Sequence, residues 1–342
     1  PLPNGHSPLP LPNGHSPLPL PNGHSPLPLQ GTISFPARFM RHDVGELNSF
    51  PDDDCIHISV DLIKRLSPDS ISVMEFKSDL DIFIAEKMSR FPLLGNWKNG
   101  EPLEFSREFM SSEDHHLFNV NNDGLIVYEG KMFEQFNSFL EKPKWYISLN
   151  EFTKTHFYDR GDWKYYRFVI RRVASSTNER TLISSIIPLN CVVVHSCFVN
   201  VKNILEYPEA LYIVSLLNSF VLDFSMRRQV TSNVSQFSIY QLPVPRLTEK
   251  DPYFQEIVER AAKLICTTAE YDELAREVGL TSHENGVTDE RERGKIRAEL
   301  DGIIAHLYGL TETEFSHILS TFPIVAEEVK TAALNAYREM VK

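Results

Sequence analysis

The chain of 342 residues is acidic, with 34 Lys and Arg against 46 Asp and Glu and a pI near 5.5. Its 42% hydrophobic and 11% aromatic content excludes a disordered polyelectrolyte, and a net charge of −12 excludes general coating of nucleic acid. The length is enough for two domains, and Cys55, Cys191, Cys197 and Cys266 have no CxxC spacing, so they read as buried or idle thiols of a reducing cytoplasm and support neither a zinc site nor a disulfide framework.

The chain starts without Met and without a signal segment, as a fragment of a longer gene product would. Residues 1–30 are a nonapeptide repeat, Pro-Leu-Pro-Asn-Gly-His-Ser-Pro-Leu, present three times. Its prolines remove backbone donors and its Asn-Gly pairs make turns, so an extended disordered tail is expected. His6, His15 and His24, nine residues apart on such a tail, make a weak metal site at best.

Residues 31–246 read as an α+β region. Cys55 to Val60 alternates as a strand, Asp61 to Leu66 is a short helix, and Asp79 to Phe91 places Leu80, Phe83, Ile84 and Met88 on one helical face. Leu125 to Gly130 is a strand expected to lead into a helical turn over 131–139. Strands then follow over 145–149, 165–173, 181–187 and 192–194, and one long helix is expected from Pro208 to Arg228, with Leu211, Val214, Leu217, Val221 and Leu222 at core spacing. The longest apolar run, Leu211 to Phe224, is interrupted by Asn218 and Asp223 and falls short of a membrane span.

Residues 247–342 are helical and charged. Asp251-Pro252 opens one helix, Thr288 opens another that ends at Gly309, and Thr311 with Glu314 forms a capping box for a third. The expected fold is therefore a mixed-strand α+β domain followed by an all-helical C-terminal region.

Charge is segregated along this chain. Residues 143–246 carry 12 Lys and Arg against 7 Asp and Glu, a net of +5, which leaves −17 for the rest. Within that stretch Arg160, Lys164, Arg167, Arg171 and Arg172 are interleaved with Trp163, Tyr165, Tyr166 and Phe168, a pattern suited to phosphate contacts beside base or sugar contacts. Asn178 and Arg180, with Thr177 and Thr181, carry groups that read base edges, although the same block could be a structural corner. Arg227-Arg228 suits a helix C-terminus.

The sequence contains no Gly-x-Gly and no Pro-Pro, so it lacks a glycine-rich nucleotide loop and the Asn/Asp-Pro-Pro-Tyr/Phe element of amino-methyltransferases. Asp52-Asp53-Asp54 followed by Glu75-Phe-Lys77 has roughly the spacing of a magnesium-dependent nuclease, with Asp53 or Asp54, Glu75 and Lys77 as its candidate residues. His115-His116 favours a loop over a ligand pair, and the sequon at Asn233 has no use in cytoplasm.

Six ordered stretches carry a resemblance: Leu66 to Asp81; Tyr128 to Phe136; Ala174 to Ile183 with Ile187-Pro188; Leu216 to Ser219; Gln241 to Pro245; and Arg297 to Asp301 with Ala305 to Leu310. Together, over Phe35 to Arg338, the chain resembles the C-terminal, target-recognition half of adenine-specific DNA methyltransferases of type II (IIG-like) restriction-modification systems. The resemblance implies a chain that recognises double-stranded DNA. It implies S-adenosylmethionine and a flipped adenine for the complete enzyme, whose catalytic half or subunit is missing here. Arg160, Lys164, Arg167, Arg171 and Arg172 are then the expected phosphate contacts and Asn178 and Arg180 the positioning or base contacts, with Tyr128 and Lys131 near the same face. A magnesium-dependent nuclease and a non-enzymatic protein-interaction module are the alternatives.

Overall fold

The computed structural model describes residues 33–340, apart from 40, 42, 69–70, 98–102, 202–204 and 231. The repeat at 1–30, with His6, His15 and His24, lies outside the described residues. The fold is α+β. An antiparallel ribbon of β1 (Ser34–Ala37) and β2 (Ile56–Ser59) leads into α1 (Val60–Leu66) and α2 (Asp79–Met88). Ser59 and Ser78 cap these helices by accepting the Leu62 and Asp81 amides. Their buried faces close a small core around Ile58, Leu62, Phe76 and Ile82.

Two four-stranded sheets follow. In chain order the elements are β3 (Glu104–Ser106), β4 (Phe118–Asn119), β5 (Leu125–Tyr128), β6 (Tyr146–Ile147), α3 (Leu149–Phe152), α4 (His156–Arg160), β7 (Arg167–Arg171), β8 (Ser184–Ile187), β9 (Cys191–Val193) and β10 (Cys197–Val201). One sheet has the antiparallel order β3-β10-β7-β8; the other has the order β4-β6-β5-β9 and is parallel at β5–β9. Consecutive strands β9 and β10 belong to different sheets, so the chain crosses between them at Val194 to Ser196.

Strand parity in β7 decides where its charges go. Successive side chains point to opposite faces. Phe168 and Ile170 face the helices and join the main core, while Val169 joins a second core with Tyr128, Phe133, Ile187 and Val193, lying between the sheets. Arg167 and Arg171 share the face of Val169. The cationic run of the sequence thus enters the protein interior on alternate residues.

The expected single helix over 208–228 is two, α5 (Tyr207–Asn218) and α6 (Phe220–Arg227), with a 60° bend between them. Ser219 has extended backbone angles, and its hydroxyl accepts the Leu222 amide as the cap of α6. The Asp301 carboxylate accepts the Phe220 amide at 2.9 Å, and Asn218 exchanges hydrogen bonds with Ser184 of β8. Polar partners from a strand and from a distant helix satisfy the groups that the break exposes. Among the described residues no single helix is long and apolar enough to cross a membrane; α5 and α6 would qualify only as a bent pair, and their side chains are almost all buried.

The helical turn expected over 131–139 is likewise replaced. A short 3-10 turn at Gly130–Met132 runs into a tight reversal in which Glu134 pairs with Asn137. After α7 (Gln236–Tyr240), the C-terminal region contributes α8 (Pro252–Ile265), α9 (Asp272–Glu277), α10 (Glu290–Leu307), α11 (Glu312–Ser320) and α12 (Glu327–Glu339). Asp289, one residue beyond the expected Thr288, caps α10, and Thr311 with Glu314 forms the capping box of α11. The main core runs from Ile84 to Tyr337 and crosses position 246, so the helical region and the sheets share one apolar interior.

Candidate nucleic-acid interface

The expected DNA contacts separate by burial. Arg167 is 3% exposed and donates to Glu108 at 2.6 Å and to the Cys191 carbonyl at 2.7 Å. Glu108 is itself buried, accepts the Val193 amide and also lies 3.6 Å from Arg160. Arg167 is therefore a structural cation at the centre of a buried network, and not a phosphate contact. Arg160 is held by Asp162, with Nε to Oδ2 at 2.6 Å, and reaches Ser106 and the Phe157 ring. Its charge is largely neutralised within the protein.

Arg171 donates to the Phe133 carbonyl and lies over the Phe133 ring; burial holds its pKa below the usual guanidinium value. Tyr128 is fully buried, donates to the Ser138 carbonyl, and burial pushes its phenol up. Lys131 is exposed between Glu129 and Glu141. Tyr166 and Phe168 belong to the core, and Thr181 is buried. Arg167 and Arg171 share one cause, since β7 is covered on both faces and its alternation sends polar side chains inward, whereas Arg160 on α4 and Lys131 in the turn at Gly130–Met132 are held by neighbouring carboxylates.

The block at 174–183 is largely the structural corner. Arg180 bonds Asp223 at 2.9 Å, donates to the Asn218 carbonyl and stacks on Phe220. Asp223 also accepts the Thr181 and Leu182 amides. Arg227 donates to the Asn178 and Glu179 carbonyls, and so locks the corner from below. Asn178 keeps an exposed side chain.

What remains available is a rim of cations on aromatic rings. Lys164 lies 5.3 Å from the Trp163 ring and Lys144 lies 4.5 Å from Trp145, whose ring meets His115 edge-on at 4.6 Å. Trp163 stacks on Tyr158, and Trp145, Phe157, Tyr158 and Trp163 all pack on one cluster built from Phe109, Ile147 and Phe152. The rim is thus contiguous around α3 and α4. Lys154 on it is paired with Glu151. Arg172, half-buried beyond the end of β7, has no side-chain partner among the described residues. Lys144, Trp145, Phe157 and His115 were not expected as site residues; the signal for them was the adjacency of Lys144 and Trp145, matched by Trp163 and Lys164.

A groove of about 1030 Å3 lies between the corner, the turn at 134–136, and the helices α10 and α12. Arg171, Asn178 and Arg180 meet on its wall. Residues of four of the stretches that carry the sequence resemblance line it: Glu134 to Phe136, Asn178 to Arg180, Asn218 with Ser219, and Arg297 to Asp301. Two further stretches meet where Gln241 donates to the Ser67 hydroxyl, and Tyr308 donates to the Pro243 carbonyl at 2.6 Å.

The nuclease residues do not converge. Asp52 pairs with Arg38, Asp53 and Asp54 are exposed, and the Glu75 amide binds the Arg228 carbonyl. Among the described residues no group of three acidic, histidine or cysteine side chains could hold a metal ion.

No family model and no curated protein matches the chain. Among solved structures, the type IIL restriction-modification enzyme MmeI, determined in complex with DNA, is similar over 84% of this chain and 40% of that one, at 13% identity and a TM-score of 0.40. A type I restriction-modification assembly is similar over 64% of this chain and 45% of that one, at 13% identity and a TM-score of 0.30. The chain spans less than half the length of either.

Proposed function

We propose that this chain is the DNA-recognition portion of a restriction-modification adenine-specific DNA methyltransferase, working with a catalytic portion that supplies the methyl transfer. The observation that carries the reading is the rim of Lys144 and Lys164, each over the ring of a neighbouring tryptophan, with both tryptophans packed on one aromatic cluster.

On this reading the rim of Lys144, Lys164 and their tryptophans faces the duplex, with Arg172 as an outlying cation and Asn178 at the lip of the groove. Cations on aromatic faces combine phosphate attraction with a flat stacking surface. The acidic remainder of the chain stays off the polyanion and limits non-specific binding.

S-adenosylmethionine belongs to the complete enzyme. The residues described here do not fit it: the sheets are antiparallel apart from β5–β9, and no strand passes through a glycine-rich turn into a helix of the kind that cradles such a ligand. Recognition is accordingly the task assigned to this chain, and modification is assigned to its partner.

The test is binding of the full chain to a random-sequence duplex library, followed by titration of the enriched duplex at several salt concentrations. The reading expects log K to fall with log[salt] by roughly 0.9 per phosphate neutralised, and an enriched sequence. A flat salt response would leave the protein-interaction module as the better account.

A further inference from the structure

We infer that the groove between the corner and the C-terminal helices docks a protein segment: an α-helix carrying lysines or arginines on either side of an apolar stripe. This inference stands on the groove's own chemistry and does not require the rim to bind DNA.

The groove presents apolar side chains to solvent on facing walls. Leu140 is 48% exposed and Val329 is 49% exposed. A Cβ at Gly294 on α10 would meet nothing within 4 Å, and Ala332 and Ala336 on α12 are four residues apart on one helix face, so small side chains there let a third helix approach closely. An occupant that only filled volume would need nothing more.

The charges specify the occupant further. Glu328 and Glu339 stand on the α12 wall, eleven residues and about 16 Å apart at the rise of an α-helix, with Glu179 and Glu134 across the groove. Among the described residues Glu179, Glu328 and Glu339 have no cationic partner, whereas Glu134 faces the charges of Arg171 and Arg293 and accepts a hydrogen bond from Asn137. On the cationic side, Arg180 and Arg297 are already neutralised by Asp223 and Glu290, and Arg171 is committed to a backbone carbonyl. Arg291 and Lys295 have no carboxylate partner among the described residues but are outnumbered by those three carboxylates, so the unpaired charge of the groove is acidic. A nucleic-acid backbone would place phosphates against those carboxylates, whereas a basic helix would match them and cover the apolar walls.

The experiment uses the full chain and an 18-residue helical peptide of leucine and lysine, with a leucine–glutamate peptide and a 20-base-pair duplex as comparisons, followed by fluorescence anisotropy. The leucine–lysine peptide is expected to bind, and the leucine–glutamate peptide is not. Ala332→Trp fills the groove without changing its charge, and Glu328→Lys with Glu339→Lys reverses the α12 wall at exposed positions; each is expected to weaken the cationic peptide at least tenfold while thermal unfolding stays near that of the parent. Equal binding of both peptides, or cationic binding untouched by both variants, would overturn the proposal. So would loss of duplex binding in Ala332→Trp, which gives the groove to nucleic acid, or a dimer abolished by that substitution, which gives it to a second copy of this chain.

Discussion

Arg167 and Lys164 are three residues apart in a stretch that reads as one cationic patch, yet they have opposite fates. Arg167 lies inside a strand that is covered on both faces, and is locked to Glu108; Lys164, itself exposed, lies in the turn before the strand and rests over the half-buried Trp163 ring. The difference teaches that a run of positive residues is a surface only where the backbone leaves it one. In β7 the two-residue period moves Arg167 and Arg171 inward, and only residues outside the strand stay free to meet a polyanion.

The sharpest way to break that comparison is to remove the buried acid. Glu108→Ala leaves Arg167 desolvated without a carboxylate and takes a partner from Arg160, so it is expected to lower stability by about 3–5 kcal/mol in urea or guanidinium unfolding. Joint replacement, Glu108→Leu with Arg167→Met, should recover much of that loss, because no uncompensated charge then remains. A single-variant loss below about 1 kcal/mol would mean that Arg167 reaches solvent, and the interior assignment would fail.

A second contrast, between two buried aspartates, sharpens the same lesson at smaller amplitude. Burial raises the carboxyl of Asp81, but Arg228, with a hydrogen bond at 2.6 Å, His317 at 2.8 Å and the Lys77 amide outweigh it and hold its pKa below the usual 3.8. Its stabilising contribution is present above pH 3.8 and is lost as pH falls through the lower folded value. Asp301 is pushed up to about 6 by burial, against Arg180 and the Phe220 amide. The folded state binds that proton more tightly than the unfolded chain, so stability falls as pH rises from about 4 to 6, and the ionised form costs about 3 kcal/mol above it. Asp301→Asn keeps an oxygen for the Phe220 amide, and is expected to gain about 1–3 kcal/mol at pH 7.5 and to flatten the pH 5 to 7.5 dependence. Denaturation midpoints of parent and variant at the two pH values decide it; a variant weaker at pH 7.5 would refute the assignment.

The elements visible in the sequence were those with a local cause. The capping box of Thr311 and Glu314, the α2 face of Ile84 and Met88, and the β7 strand follow from spacing alone. The bend at Ser219 was hidden because its cause lies 82 residues away, in the Asp301 carboxylate that holds the Phe220 amide. Arg180 shows the same limit: its residue type fits base readout, and its partner Asp223 became visible only when α6 was placed beside the corner. Lys144 and Trp145 were legible as an adjacent pair, but they open an expected strand over 145–149 that the structure shortens to Tyr146–Ile147, and they lie apart from the cationic run at 160–172.

The smallest expected effect tests the rim itself. Lys144→Ala and Lys164→Ala each remove an exposed cation from an aromatic face and no buried contact, so stability should move by no more than about 0.5 kcal/mol. If the rim meets a duplex, each substitution removes about one phosphate contact, and the salt slope of binding should fall by roughly 0.9 for each and by about twice that in the double variant. Trp145→Ala and Trp163→Ala remove the ring under each cation and open the aromatic cluster on which both pack, so they would lower affinity with the slope unchanged and lower stability as well. Charge and stacking are then read separately in one titration, and Arg167 supplies the control: its replacement, in the Glu108→Leu background that keeps the fold, should leave the slope where it was. If that control reduces the slope while Lys144→Ala and Lys164→Ala do not, the DNA face is the strand and not its rim.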